Sequence, residues 1–454
     1  MQSKMISMLI DFTLRNFLSF KDEVSFSMLA AKSVKEHERC GSNESCNVIN
    51  VPNTDSKVLK VAAVYGANGS GKSNLLSAMS FFKHMVLDSF KNDSILRRVT
   101  DLSYQFSIES QEEPSSFEMM FIIGDKRYRY GFEIFNESIE SEWLFVKPLE
   151  SSRESYCFRR EKKNITVNSK TYKGAGGISS KTRHNALFLS TCAQFNVEIS
   201  MIIKEWFRKK FNILSGIDDD TIHYTANQYI HNADMHKRII EFIKVIDLGI
   251  TDIAIKESDV ENIPEPVNQV VNAISKAPNV IKSEITDIKK IEILSEHKRY
   301  DHGKLKDTLL TPFGIESLGT KKIFALLGPW FDTIINGGTL LIDEFGASFH
   351  TKLSIELIKI FQSALNNNAQ LIITTHDTNL LRGELLRRDQ IWFAEKNEFG
   401  ESDLYSLVEY KINQANSVRN DATFNKDYLL GKYGAIPYFG NISQFLNDFS
   451  SNGE

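Results

Sequence analysis

Gly66-Ala67-Asn68-Gly69-Ser70-Gly71-Lys72-Ser73 decides the fold of this chain. The stretch matches G-x-x-x-x-G-K-[ST] in full. It stands between an apolar run, VLKVAAVY at 58–65, and a segment with Leu75, Leu76, Met79, Phe82, Met85 and Val86 at helical spacing. A short apolar run ending in glycine reads as a buried parallel strand, and the spacing after it predicts a helix that starts at the loop. Strand, glycine loop and helix together are the setting in which this motif holds phosphates. Gly66, Gly69 and Gly71 let backbone N–H groups curl around an anion, with Asn68 and Ser70 between them, and the helix N-terminus adds its positive end. Lys72 is expected to reach the β- and γ-phosphates of ATP, and the Ser73 hydroxyl to bind Mg²⁺.

A second apolar run, TLLID at 339–343, ends in Asp343-Glu344. Two carboxylates at the end of a strand buried on both faces emerge where ligands bind on an α/β sheet. Asp343 is expected to hold Mg²⁺ through its waters, and Glu344 to act as general base toward water. A helix at 351–366 and a third apolar run, QLIITT at 370–375, follow. That order implies a parallel crossover. His376 ends the third run; such a histidine is usually structural, but this order can set it beside a γ-phosphate. Glu316-Ser317-Leu318-Gly319-Thr320 precedes a helix at 320–335. Alone it is a helix cap; in this motif order the helix end can also bind a γ-phosphate held by another subunit.

Further outward, residues 6–30 alternate as paired strands with a turn near Lys21–Asp22. From 101 to 160 the runs YQFSIES, FEMMFII, YRYGFEIF, EWLFVK and SYCFRR read as an antiparallel meander, and ALFLS at 186–190 as one more strand. Residues 196–250 carry helical periodicity, a polar stretch with Pro264, Pro266 and Pro278 reads as a loop, and alternation resumes near 285–312. The 454 residues are 42% hydrophobic and 25% charged, ordinary for a soluble globular protein, and the net charge of -4 gives no overall basic footprint for nucleic acid. His37, Cys40 and Cys46 are close together but fit no common zinc spacing, and the four scattered cysteines suit a reducing compartment. With no signal peptide and no apolar stretch near the ~20 residues that span a bilayer, the expected location is the cytoplasm.

Phosphate loop, Ser/Gly signature before a helix, strand ending Asp–Glu, strand ending His: this order resembles that of ABC-type ATPases. LIDFTLRNFLSF at 9–20 resembles the first hairpin of the SMC and RecF branch. FLSF, ESLGTKK, LLIDEFGASFH and YLLGKYGAIP together resemble the AAA-15/AAA-21 ATPases of bacterial anti-phage systems, of the RloA, AbiL and PARIS type. The resemblance covers roughly 8–190 and 300–440. It implies a P-loop NTPase of α/β class: an ABC-type nucleotide-binding head with an antiparallel β subdomain and a compact helical insertion. Its lobes would be 1–195 and 304–454, flanking a mainly helical 196–303. It assigns Ser317 and Gly319 to a signature completing a partner's site and His376 to a switch histidine. It asks for a Q-loop glutamine, best met in order by Gln194, with Gln105 as alternative. Gly346–His350 takes the D-loop place but departs from the transporter form.

The resulting expectation is an ATPase that forms homo-oligomers through ATP-bridged heads and controls an effector, a nuclease or toxin encoded nearby, with DNA or a phage protein as trigger and no membrane. A RecF/SMC-like repair ATPase that binds DNA is the alternative. An OLD-type nuclease is weaker, because little chain follows His376 and its tail lacks spaced carboxylates for two metals.

Overall fold

Period-two patterning in residues 6–30 does form a hairpin. Strand β1 (Ser7–Arg15) pairs antiparallel with β2 (Val24–Ser27), Phe12 opposite Phe26. In this computed structural model the described residues are 6–34, 47–92, 96, 102–216, 219–246, 249–259, 289–412, 416–417 and 423–437. His37, Cys40, Cys46 and the three prolines at 264, 266 and 278 lie outside them. The apolar run at 58–65 is two strands: β4 (Lys57–Leu59) pairs with β3 (Val48–Asn50), and only β5 (Val61–Tyr65) enters the central sheet. Helix α1 (Lys72–Asp88) follows the glycine loop and buries the predicted face, Leu75, Leu76, Met79, Phe82, Met85 and Val86.

YQFSIES is not a strand. It is an irregular segment running into a one-turn helix, α2 (Ile108–Gln111), because Asn16 draws the Tyr104 N–H onto its side-chain oxygen at 3.0 Å. The meander proper is β6 (Ser115–Ile123), β7 (Lys126–Phe135), β8 (Ser138–Pro148), β9 (Ser155–Glu161) and β10 (Asn164–Val167). With β1 and β2 it makes a seven-stranded sheet in the order β10-β9-β8-β7-β6-β1-β2. ALFLS is also not a strand: it opens helix α3 (Phe188–Gln194). The first N–H groups of that helix, Phe188 and Leu189, donate to the Glu142 carboxylate at 2.7 and 3.0 Å. Glu142 is wholly buried, accepts Tyr130 Oη–H at 2.9 Å, and faces buried Arg160 at 3.5 Å. A carboxylate at a helix start satisfies donors that would otherwise be orphaned.

Helix α4 (Glu198–Lys209) lays Trp206 flat on Phe121, centroids 4.6 Å apart, and Phe207 against Phe82. After β11 (Phe211–Leu214) come α5 (Asp219–His231), α6 (Ala233–Val245), β12 (Ile250–Asp259), β13 (Lys289–Asp301), β14 (Lys304–Pro312) and α7 (Leu318–Asn336). The chain then runs through β15 (Gly338–Ile342), α8 (Thr351–Gln362), β16 (Ala369–Thr374), β17 (Ile391–Lys396), β18 (Ser402–Ser406) and α9 (Phe424–Leu429).

The second sheet has the order β11-β15-β16-β5-β17-β18. All its neighbours are parallel except β17–β18. Its central strands β5, β15 and β16 are buried at every residue. The two sheets share one core with α1, and buried Gln370 on β16 joins them by exchanging two hydrogen bonds with the Leu9 backbone at 2.6 and 3.0 Å.

The chain divides into two compact units, Met1–Gly216 with Thr333–Glu454, and Ile217–Asp332. Helix α4 and β11 therefore belong with the first unit, beyond the boundary expected at 196. Beside its helices the second unit carries a three-stranded antiparallel sheet, β12, β13 and β14, of which the sequence foretold only the alternation near 285–312. A bulge between Ile250 and Asp252 breaks the alternation that marks β12. Within this unit Pro329 lies inside α7. Proline has no N–H, so the Ala325 carbonyl loses its partner in the helix; the Thr225 hydroxyl donates to it instead at 2.7 Å. Among the described residues no helix is long and apolar enough to cross a membrane.

Candidate functional site

The loop between β5 and α1 is shaped by its surroundings. Gly66, Gly69 and Gly71 have φ of 154°, 75° and 111°. A Cβ added at Gly66 would lie 2.3 Å from the Ala394 carbonyl oxygen, and one at Gly71 would lie 2.5 Å from Ser402 Oγ and 3.0 Å from Ser19 Oγ. Ser402 Oγ and Ser19 Oγ are bonded at 2.7 Å, and Asn74 in the first turn of α1 donates to the same Ser19 Oγ at 2.7 Å. Ser19, from FLSF, and Ser402 thus brace the loop at Gly71 and the first turn of α1 at Asn74. Neither was singled out from sequence, because nothing local in FLSF or SDLYS marks a contact so distant along the chain.

The loop fits a phosphate chain. Helix α1 has no side-chain cap and no acidic residue in its first turn, so its first N–H groups are open to an anion. Ser70 Oγ is buried without a hydrogen-bond partner. Lys72 is buried, with Nζ donating to the Gly66 and Ala67 carbonyls at 3.0 and 2.8 Å. An ammonium has three donors, so one remains. Burial lowers the Lys72 pKa to about 8, against the opposing pull of Asp343 and Glu344.

The carboxylates arrive beside the loop on β15. Ser73 Oγ donates to Asp343 Oδ1 at 3.1 Å. Thr374, at the end of β16, holds the whole turn: its hydroxyl donates to Asp343 Oδ1 and accepts the Glu344 N–H at 2.8 Å, while its carbonyl accepts the Phe345 N–H at 2.8 Å. Glu344 has φ +52° and is exposed, a conformation uncommon for a side-chain-bearing residue and found at functional turns. Ser73 and Asp343 are oxygen donors of the kind Mg²⁺ takes, one carboxylate and a hydroxyl with room for water and phosphate. His376 bonds the Gly66 backbone. Desolvation and then the Lys72 charge hold its pKa below the usual value, opposed by Glu344 and Asp343.

A family model described as "AAA domain, putative AbiEii toxin, Type IV TA system" (AAA_21) matches residues 61–382, over half of the chain and the whole span from β5 to beyond His376. The chain belongs to the AAA_21 family. No curated protein matches it. Among solved structures it is similar to an SMC head bound to the C-terminal winged-helix domain of ScpA, at 14% identity and TM-score 0.39, covering 90% of this chain and 99% of the other. It is similar to the SMC head of Thermotoga maritima, at 14% identity and TM-score 0.39, covering 88% and 98%. A Smc head with an extended coiled coil bound to the C-terminal domain of ScpA, from Pyrococcus furiosus, gives 14%, 0.40, 90% and 98%.

In this AAA_21 chain one end of the central sheet gathers Gly66–Ser73, Asp343, Glu344 and His376. Gln194 is not drawn in by any contact seen: it ends α3, whose start is tied by the Leu187 N–H to Ser89 Oγ at the far end of α1. Gln105 bonds Ser103. Ser317 and Gly319 lie in the second unit. There Ser317 Oγ accepts the Thr320 N–H at 3.1 Å, which is a helix cap. Thr374 is the participant that sequence reading missed. Its signal was a hydroxyl at the end of an otherwise apolar strand, one residue before Thr375-His376.

Proposed function

We propose that this chain binds ATP with Mg²⁺ at Gly66–Ser73 and hydrolyses it. Two heads close around the nucleotide, with Ser317 and Gly319 of one completing the site of the other, and the assembly controls a separate effector in anti-phage defence. The observation that carries the catalytic part is the convergence of buried Lys72 on an uncapped helix start with Asp343 bonded to Ser73. Lys72 binds the β- and γ-phosphates. Ser73 and Asp343 hold Mg²⁺, which neutralises phosphate charge when bound. Glu344 orients a water and accepts its proton. His376, bonded to the Gly66 backbone at the end of β16, is the residue placed to respond to the nucleotide. The family description names a two-gene toxin–antitoxin system, which supports a function exercised with a second protein; its word "toxin" makes growth arrest by this chain alone the competing outcome of the test below. Gln194 has no part in this chemistry.

Full-length protein assayed with Mg²⁺ and ATP tests the reading. Glu344→Gln keeps ATP binding and loses turnover, since the amide accepts no proton. Lys72→Ala loses tight binding. Normal turnover in Glu344→Gln removes that residue as the base, and unchanged affinity in Lys72→Ala removes the loop as the site. Expression of this gene alone is expected to leave cells growing, with toxicity only beside the effector. Growth arrest by the lone chain overturns the separate effector, and ATP-dependent, salt-sensitive DNA binding replaces defence with the repair reading.

A further inference from the structure

Phe106 and Phe399 are large rings left 76% and 68% exposed, beside Ile108 at 83%. They belong to one patch. Phe106 Cδ2 lies 3.4 Å from where a Cβ on Gly400 would stand, and its ring meets Tyr104 edge-on at 5.7 Å. Tyr104 Oη–H donates to the Phe399 carbonyl at 2.7 Å. The patch adjoins the phosphate loop through consecutive residues. Ser402 sits against Gly71, Glu401 pairs with Lys21 at 2.9 Å, and Gly400 touches Phe106. Gly400 turns at φ +84°, and even a fully extended chain would set it no more than about 7 Å from Ser402.

The loop and the first turn of α1 take the phosphates, so the ribose and base lie beyond them. Asn74, in that first turn, is bonded to Ser19, and Ser19 to Ser402, so this bracing leads from the phosphate end toward the aromatic patch. We propose that Phe106, with Phe399 beside it, is the platform on which the base of the bound nucleotide stacks, bordered by the Lys21–Glu401 pair. An exposed ring gives up water readily to a flat base, and every base has a π-face to offer it. The assignment rests on the nucleotide reading of the loop.

Calorimetry on the full-length protein separates the two ideas, using Mg²⁺ with ATP and Mg²⁺ with inorganic tripolyphosphate, which has no base. Phe106→Ala is expected to weaken ATP about tenfold and leave tripolyphosphate unchanged, while Phe106→Tyr and Phe106→Trp keep ATP affinity. Equal loss of both ligands, or loss of neither, overturns the platform. Wild-type protein that binds neither ligand overturns the phosphate loop itself, and the platform with it. Photolabelling of the wild type with 8-azido-ATP reads the same question without a substitution. Label within 104–106 or 399–401 supports the platform, and label confined elsewhere refutes it.

Discussion

Burial holds the Lys72 pKa at about 8, well below the range of a free lysine. The folded state therefore disfavours its charge, so its contribution to stability falls as pH drops from the ordinary lysine range toward 8 and is gone at neutral pH. A bound triphosphate reverses this by favouring the ammonium. Binding of ATP at pH 8 should then take up about half a proton, and near pH 6.5 almost none from this group. Calorimetry of the wild type in buffers of different ionisation enthalpy measures that uptake, and an uptake at pH 8 no larger than at pH 6.5 would show that Lys72 is not its source. Thr374 makes a second residue-scale prediction. Thr374→Val removes the hydroxyl that holds Asp343 and the Glu344 N–H. Residues that orient metal ligands are worth about 10–100-fold in affinity, so the Mg²⁺ concentration supporting half-maximal turnover should rise by at least about tenfold. An unchanged Mg²⁺ dependence would show that Asp343 is positioned without it.

Elements were legible where local pattern and long-range packing agree. The α1 face, the β15–α8–β16 crossover and the first hairpin follow from spacing alone, because each buries its stripe against its nearest layers. ALFLS failed because a five-residue apolar run does not tell strand from helix; the Glu142 carboxylate from β8, which satisfies the first N–H groups of α3, decides it. Strand β12 was not read at all, because only Ile253 and Ile255 alternate after the bulge at its start and the rest of the strand is polar. In the site, the phosphate loop and Asp343-Glu344 were readable because their chemistry is compressed into adjacent residues. Ser19, Ser402 and Thr374 were not, because each acts through a contact with residues far along the chain. Helix α7 gives a prediction of its own. Thr225→Val leaves the Ala325 carbonyl beneath Pro329 without its donor, which should destabilise the second unit by about 1–3 kcal/mol. Thermal unfolding reads this as a lower midpoint, and an unchanged midpoint would mean that another group satisfies that carbonyl.

For the whole molecule, the proposed closure between heads turns on Ser317. Within one chain it caps α7, so an arginine there should cost little beyond a cap, about 1 kcal/mol, and leave ATP affinity intact. The same side chain is too large for a helix end that must approach a partner's phosphate. Ser317→Arg is therefore expected to bind ATP as a monomer and to lose turnover. Mixed with Lys72→Ala, it should recover part of the activity, because a mixed pair keeps a single intact site. Light scattering and turnover of the mixture check both points, and full turnover by Ser317→Arg alone would leave the motif as a cap only.

The order of the central sheet has a consequence for how the protein is made. Strand β5 lies between β16 and β17, which the ribosome delivers last among the three. At ordinary translation rates the phosphate loop leaves the tunnel roughly 15–60 s before its flanking strands. During that interval the glycines have no Ala394 or Ser402 to close on, so the nascent chain has no built nucleotide pocket. A message cut short before codon 391 would yield a product without the strand that supports Gly66, and cellular ATP would be engaged only by chains translated past it.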